Sequence, residues 1–330
     1  MKGKILITGA DGMLGASICR EALQQGYEVK AMIQPGRNVP VLDGLPLEKT
    51  PADLLDKDSM ERAVQGCDYI INVAAYTSIW PRREALHWKV NFDGVKNLVA
   101  ASKKHHIKGF VQIGTANSFS HGPMDAPGDE NTPFLSEVFK MDYVDSKYAA
   151  QSFLLEEHEK NGFPAVVVNP TFMVGPFDTG PSSGKMIMEL FKGNIPGFAS
   201  GGKNFVCSLD VAVAAVNALQ LGRKGECYIV GNENLTFDAY FRKACNVRGI
   251  PFKLRRVPNV LLLLVGAVNS IFARLFSKKP NLSFSMAQLA TVEQYYSVEK
   301  ARKELALPST PIETAIEICL QWWKENNYID

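Results

Sequence analysis

A chain of 330 residues, 46% hydrophobic and 21% charged, can bury a substantial core as one large domain or two interlocked ones. Its net charge of +2 argues against a general electrostatic affinity for nucleic acid. Six scattered cysteines (19, 67, 207, 227, 245 and 319) and five histidines lack ligand or disulfide spacing, which predicts a reduced, cytoplasmic setting and no metal site. A first strand close to Met1 predicts no signal or transit peptide.

In chain order, the apolar run Lys4 to Thr8 reaches Gly9, and glycines recur at 12 and 15 before a helical rhythm at Ile18, Ala22 and Leu23. That is strand, tight turn and helix. Gly9 and Gly12 remove side chains where backbone must approach a diphosphate, and Gly15 lets the helix lie close on the strand. The helix N-terminus, at Met13 and Leu14, then faces the phosphate charge. Asp11 stands where an N-cap would stand, and its side chain is expected to turn back on the helix. Tyr27 to Ile33 reads as the second strand. An acid at the end of such a strand selects NAD, whereas an arginine accepts a 2′-phosphate. Gln34 and Arg37 occupy this place, which favours NADP and leaves NAD open.

Asp53 to Asp56 precedes a helix running to Gly66, with Asp53 either meeting the adenine edge or making a turn, and Leu54 beside it. Asp68 to Ala75 is the next strand, its small end residues suited to close passage of a ribose. A helix follows from about Val90 to Lys104, with Asn91 near its start. Phe110 to Thr115 is another strand, ending in a hydroxyl. Alternation without hairpin signals predicts an α/β fold, a Rossmann-type doubly wound parallel sheet. Residues 118 to 136, rich in Pro and Gly, read as a loop over the carboxyl edge of that sheet. Ala165 to Val168 is a further strand closed by Asn169-Pro170. Residues 175 to 202 break the alternation around one helix, Met186 to Lys192. Asp210 to Leu221 reads as a helix and Glu226 to Val230 as a strand returning to the first sheet. The rest is mainly helical, ending with a helix from about Ile312 to Asn326. The expected division is therefore residues 1–170 with 205–232 as the dinucleotide-binding domain. A smaller, mostly helical substrate region comprises 171–204 and 233–330.

Tyr143 and Lys147 lie four apart, on one face of a helix. A phenol is a poor acid–base group at neutral pH, and a neighbouring ammonium lowers its pKa toward the working range. Tyr143 can then exchange a proton with a carbonyl or alcohol oxygen while hydride passes to or from a nicotinamide. Thr115 would hold that oxygen, and Lys147 can reach the ribose hydroxyls. A Tyr-x-x-x-Lys spacing alone is common; its order after the glycine turn and Thr115 carries the reading. The expected cofactor contacts are Gly9, Asp11, Gly12, Met13, Leu14, Gln34, Arg37, Asp53, Leu54, Ala74, Ala75, Tyr76, Tyr143, Lys147, Pro170 and Met173.

The pieces TGADGMLG (8–15), ADLLD (52–56), NVAA (72–75), the 143–147 pair and NPTFMVGP (169–176) resemble the extended short-chain dehydrogenase/reductases. They are most similar to the branch of dihydroflavonol reductases and 3β-hydroxysteroid dehydrogenases. The resemblance implies NADP(H)- or NAD(H)-dependent ketone reduction or alcohol oxidation. It puts Thr115 in place of the usual serine, with Ser118 nearby, and implies a homodimer through helices near 90–104 and 147–159. Two other readings stay open: a nucleotide-sugar epimerase or dehydratase with retained NAD, and a non-catalytic nicotinamide sensor. The epimerases usually carry arginines where this chain has Val168-Asn169-Pro170 and Lys203-Asn204-Phe205, which leaves a diphosphate without bidentate partners. Val257 to Phe276 is the most apolar stretch, flanked by Lys253, Arg255, Arg256, Arg274, Lys278 and Lys279. Polar interruptions make it a poor membrane span. It reads as a helix covering the substrate pocket and packing on the core, or as a greasy lid resting on a membrane surface.

Overall fold

The computed structural model describes residues 2–135, 140–180, 184–276 and 278–329. Seven strands form one all-parallel sheet in the order β10-β6-β5-β4-β1-β2-β3. They are β1 (Lys4–Thr8), β2 (Glu28–Ile33), β3 (Glu48–Pro51), β4 (Tyr69–Asn72), β5 (Gly109–Ile113), β6 (Ala165–Pro170) and β10 (Cys227–Val230). The order reverses between β1 and β4, which opens the crevice where ligands of doubly wound sheets sit. Strands β5 and β6 inside the sheet, and β10 at its edge, are buried along their whole length. They therefore read as continuous apolar runs, as strands covered on both faces must.

The helices that cover the sheet include α1 (Met13–Gln24), α2 (Lys57–Val64), α3 (Ala85–Trp88), α4 (Gly94–Lys104) and α5 (Asp142–Asn161). Asp56 caps α2 by accepting from Asp58 N and Ser59 N. A π-helical turn, Lys89–Asp93, joins α3 to α4 and contains Asn91, where an uninterrupted helix was expected. π-turns leave the regular ladder, and this one frees the Asn91 side chain to bond outside its own helix.

Beyond β6 lies a smaller assembly. The strands β7 (Phe172–Val174), β9 (Gly202–Cys207), β11 (Glu233–Thr236) and β13 (Glu293–Gln294) form a second sheet, and β8 (Gly197–Phe198) pairs with β12 (Arg255–Arg256). Strand β9 crosses position 204, where the expected division fell, and pairs within this second sheet along its length. The helices here are α6 (Lys185–Phe191), α7 (Ser208–Asn217), α8 (Phe237–Arg248), α9 (Asn259–Leu275), α10 (Phe284–Ala290), α11 (Glu299–Leu305) and α12 (Ile312–Glu325). A second core gathers Phe205, Tyr240, Phe241, Ile316 and Trp323, with Tyr240 stacked on Phe205 at 4.0 Å.

Of the two readings of 257–276, packing on the core holds only in part: Leu262 of α9 packs beside the second core, while only Gly266 and Ala273 of the helix are fully buried. Gly266 meets α10, while Val260, Leu261, Leu264, Val265, Val268, Ile271, Phe272 and Leu275 face outward.

Candidate functional site

The carboxyl ends of the parallel strands bring the expected residues to one edge of the sheet. Gly9 to Leu14 follow β1, Gln34 and Arg37 follow β2, and Asp53 and Leu54 follow β3. Ala74, Ala75 and Tyr76 follow β4, Thr115 follows β5, Pro170 ends β6 and Met173 lies in β7.

At the first turn each glycine has a separate reason. Gly9 has φ +59°, and a Cβ there would stand 2.7 Å from Ala74 N. A Cβ on Gly15 would lie 2.0 Å from the Gly9 carbonyl oxygen, so the helix rests on the turn without room for a methyl. A Cβ on Gly12 would meet only Gly9 O at 3.5 Å, leaving open space beside the helix end. Gly12 is the N-cap of α1 and offers no side-chain bond to the first turn. Bare N–H groups at a helix N-terminus beside open space suit a diphosphate, so the residues present fit a dinucleotide. Gly15→Val should cost more than about 3 kcal/mol in urea unfolding, because backbone rather than a flexible side chain must yield. A loss under about 1 kcal/mol would contradict this packing.

Asp11 does not cap the helix as expected. Its Oδ2 accepts from Arg37 Nη1 at 2.8 Å, tying the first turn to the loop after β2. A full guanidinium charge attracts this carboxylate more strongly than the neutral N–H groups of the helix do. Arg37 is 60% exposed in its side chain, and its N–H closes a turn onto Gln34 O. Asp53 makes an Asx turn, accepting from Leu55 N at 2.9 Å, and Leu54 is buried, with its carbonyl held by Asn97.

The candidate catalytic side chains converge from β5 and α5. Asn169 Oδ1 accepts from Thr115 N at 2.9 Å, and a Cβ on Gly114 would strike that same oxygen at 2.0 Å. Gly114 and Asn169 together therefore fix where Thr115 stands. The start of α5 is clamped by Arg83, which bonds Asp142 at 2.6 Å and Asp145 at 2.8 Å. Acids in this first turn also suit the positive end of the helix. Asn91 accepts from Tyr76 N and donates to Tyr76 O and Ser146 Oγ, joining the strand-β4 loop to α5. The His87 ring lies 4.7 Å from that of Tyr76 and 6.0 Å from that of Tyr143. Ser118 is buried, and its hydroxyl has no hydrogen-bond partner among the described residues.

Tyr143 and Lys147 share the inner side of α5, but their electrostatics differ from expectation. Burial pushes the Tyr143 phenol above its ordinary pKa, and a hydrogen bond with Thr115 pulls part of the way back. No lowering by Lys147 occurs. That ammonium donates to the Ile113 carbonyl, and burial depresses its own pKa to about 8. At neutral pH the phenol thus holds its proton and can give it to an oxygen in front of it.

A line of buried side chains runs behind this site and escaped the sequence reading. Thr8 Oγ1 donates to Asn72 Oδ1 at 2.5 Å and accepts from Val73 N and Ala74 N. Asn72 donates to Gln112 at 2.8 Å, and Gln112 donates to Ile113 O at 3.0 Å. Ile113 O is the atom that Lys147 holds. The available signal was one polar residue late in each apolar strand, at YIIN, FVQI and AVVVN. A buried amide there requires partners.

Comparison with known proteins identifies the family and the fold. A family model described as the NAD dependent epimerase/dehydratase family matches residues 5–231. A Synechocystis sp. protein provisionally named dihydroflavonol 4-reductase is 29% identical over 329 residues, covering 98% of this chain and 95% of its own. Sterol demethylase protein B of Methylococcus capsulatus is 27% identical over 329 residues, covering 98% and 99%. The crystal structure of gox2253 superposes with a TM-score of 0.87 at 27% identity, covering 99% of each chain. The chain therefore belongs to the NAD-dependent epimerase/dehydratase family and has its Rossmann-type fold.

Proposed function

We propose that the protein is an NADPH-preferring reductase of a ketone or aldehyde, with Tyr143 as proton donor, Thr115 holding the substrate oxygen and Lys147 placing the nicotinamide ribose. That it is an oxidoreductase using a nicotinamide cofactor follows from its family and from the reductases among its relatives. The observation that carries the finer reading is the meeting of Thr115 with a protonated Tyr143 at the carboxyl edge, on the same side as the glycine turn. When bound, the reduced nicotinamide supplies a hydride to the carbonyl carbon. Tyr143 gives its phenolic proton to the oxygen, which leaves as an alcohol, and Thr115 keeps that oxygen in line. A phenol whose pKa is raised by burial stays protonated at neutral pH, which is the form a reduction needs. A panel of ketones and aldehydes with NADPH and NADH, followed at the nicotinamide absorbance, tests this. Retained NAD, with turnover but no net cofactor oxidation, would instead identify an epimerase.

Substrate class and setting belong to the same reading. A relative named for sterol demethylation supports a lipophilic substrate. Lys203, where an epimerase would carry arginine, bonds the Gln294 amide, and Asn169 is committed to Thr115, which favours the reductase over the epimerase. Six buried free cysteines, with Cys19 pushed up to about 12 by burial, suit a cytoplasmic thiol environment. A homodimer through α4 and α5 is part of the proposal, and sedimentation should show twice the chain mass.

The cofactor preference rests on Arg37. Its partner Asp11 can release it to a 2′-phosphate, where a guanidinium makes paired charge-assisted bonds. Arg37→Glu should raise KM for NADPH by about ten-fold or more while changing KM for NADH by less than about three-fold. Equal effects on both nucleotides would remove the assignment.

A further inference from the structure

Helix α9 inverts the usual order of an amphipathic helix. Its inner side is small: Gly266 and Ala273 are buried, and a Cβ on Gly266 would stand 2.9 Å from Ala287 Cβ of α10. Ser270 Oγ bonds Gly266 O at 2.8 Å and accepts from Phe284 N at 2.9 Å. These contacts set the rotation of α9 on α10. Its outer side then carries Leu261, Leu264, Val268, Ile271 and Leu275, spaced three and four apart and 49% to 71% exposed. Such a stripe normally faces a core, and an exposed patch of this kind marks an interaction surface.

Charge indicates which surface. Residues 239–292 contain nine Lys or Arg and no Asp or Glu. Lys253, Arg255 and Arg256 precede α9, Arg274 lies in its last turn, and Lys278 and Lys279 follow; all six are exposed. Among the described residues none of the six has a carboxylate partner, although Arg274 lies 5.9 Å over the Trp80 ring. A second copy of this face would bring like charges together, whereas a bilayer with anionic headgroups complements them. No described helix is long and apolar enough to cross a membrane, and α9 spans only about 25 Å. Lying flat, it can seat its stripe at the acyl boundary with basic groups at both ends near lipid phosphates.

The hairpin also adjoins the reaction site. Leu289 of α10 packs with Met141, Val144 and Tyr143, and Trp80 under Arg274 belongs to the loop leading to α3. We propose that the α9–α10 hairpin is a docking face for an anionic membrane surface, which sets the mouth beside Tyr143 against the lipid. The docking does not depend on the hydride-transfer reading, because it is measured without turnover.

The test is flotation of the full-length protein with phosphatidylcholine vesicles, with and without phosphatidylglycerol. Wild type should float with the anionic vesicles and much less with neutral ones. Leu264→Ser/Ile271→Ser/Leu275→Ser should weaken retention about ten-fold or more, since each position is exposed and its substitution leaves the core intact. Arg255→Glu/Arg256→Glu/Lys278→Glu/Lys279→Glu should remove the preference for anionic lipid. Unchanged circular dichroism and melting would show that both variants are folded. Three results would overturn the proposal: no flotation of wild type, equal flotation of the serine variant, or a vesicle-free dimer that the serine variant dissolves while lipid is ignored.

Discussion

Tyr143→Phe should lower kcat by about 10²–10⁴-fold while leaving nucleotide affinity within about three-fold, read by steady-state turnover beside a fluorescence titration with NADPH. The substitution deletes one oxygen from a ring that also packs on Met141 and Val144, so the surrounding fold keeps its contacts. What vanishes is the hydroxyl that bonds Thr115 and that the proposed function makes the proton donor. Turnover at the wild-type rate would refute Tyr143 as the donor, because the aliphatic hydroxyls of Thr115, Ser118 and Ser146 are far weaker acids than a phenol.

Lys147→Met should move activity and stability in opposite directions. Turnover should fall about 100-fold, since the group proposed to hold the ribose is removed. Stability should rise. The unfolded lysine keeps its proton to its ordinary value of 10.5, whereas the folded one loses it near 8. Below pH 8 both states are protonated and the native state carries the whole cost of burying the charge, roughly 3 kcal/mol by linkage. Between pH 8 and 10.5 the unfolded chain binds more protons, so wild-type stability should climb and the gap to the variant close. Removing the ammonium strands no acceptor, because Ile113 O still receives the Gln112 amide. The expected net gain at neutral pH is about 1–2 kcal/mol after lost packing, measured by urea unfolding across pH. Lys203 has the same direction of shift to about 8, so the difference between wild type and variant, rather than either curve, isolates Lys147. The catalytic rate of the wild type should decline as pH passes about 8, where this ammonium discharges. A variant that is less stable at every pH would contradict the cost assigned to the buried charge.

Local pattern made the main sheet readable, because glycine turns and apolar runs are short-range signals. Strand β3 was missed: Glu48-Lys49-Thr50-Pro51 lies at the sheet edge, largely exposed, with no apolar alternation to announce it. Asp11 was misplaced because a capping preference is local, whereas its guanidinium partner lies 26 residues on. The Tyr143–Lys147 spacing was read correctly as a shared face, but the chemistry between them depends on Ile113 O, 34 residues from Lys147. Asn72, Gln112 and Asn169 passed unnoticed because each finds its partner on a neighbouring strand that the sequence keeps 40 or more positions away. For Val257 to Phe276, composition could not say which side of the helix faces inward. The Gly266–Ala287 contact decides that Leu261, Leu264, Val268, Ile271 and Leu275 point out.

The ties from Thr8 through Asn72 and Gln112 to Ile113 have a mechanical consequence. They lash three strand tips together, so the glycine turn and the Lys147 ammonium cannot drift independently. Shortening Gln112 to alanine would slacken the last knot, and the error would surface at the far end as a misaimed ammonium. Such damage should register as slower turnover with nucleotide affinity largely preserved, the mark of a frame gone loose rather than a seat removed.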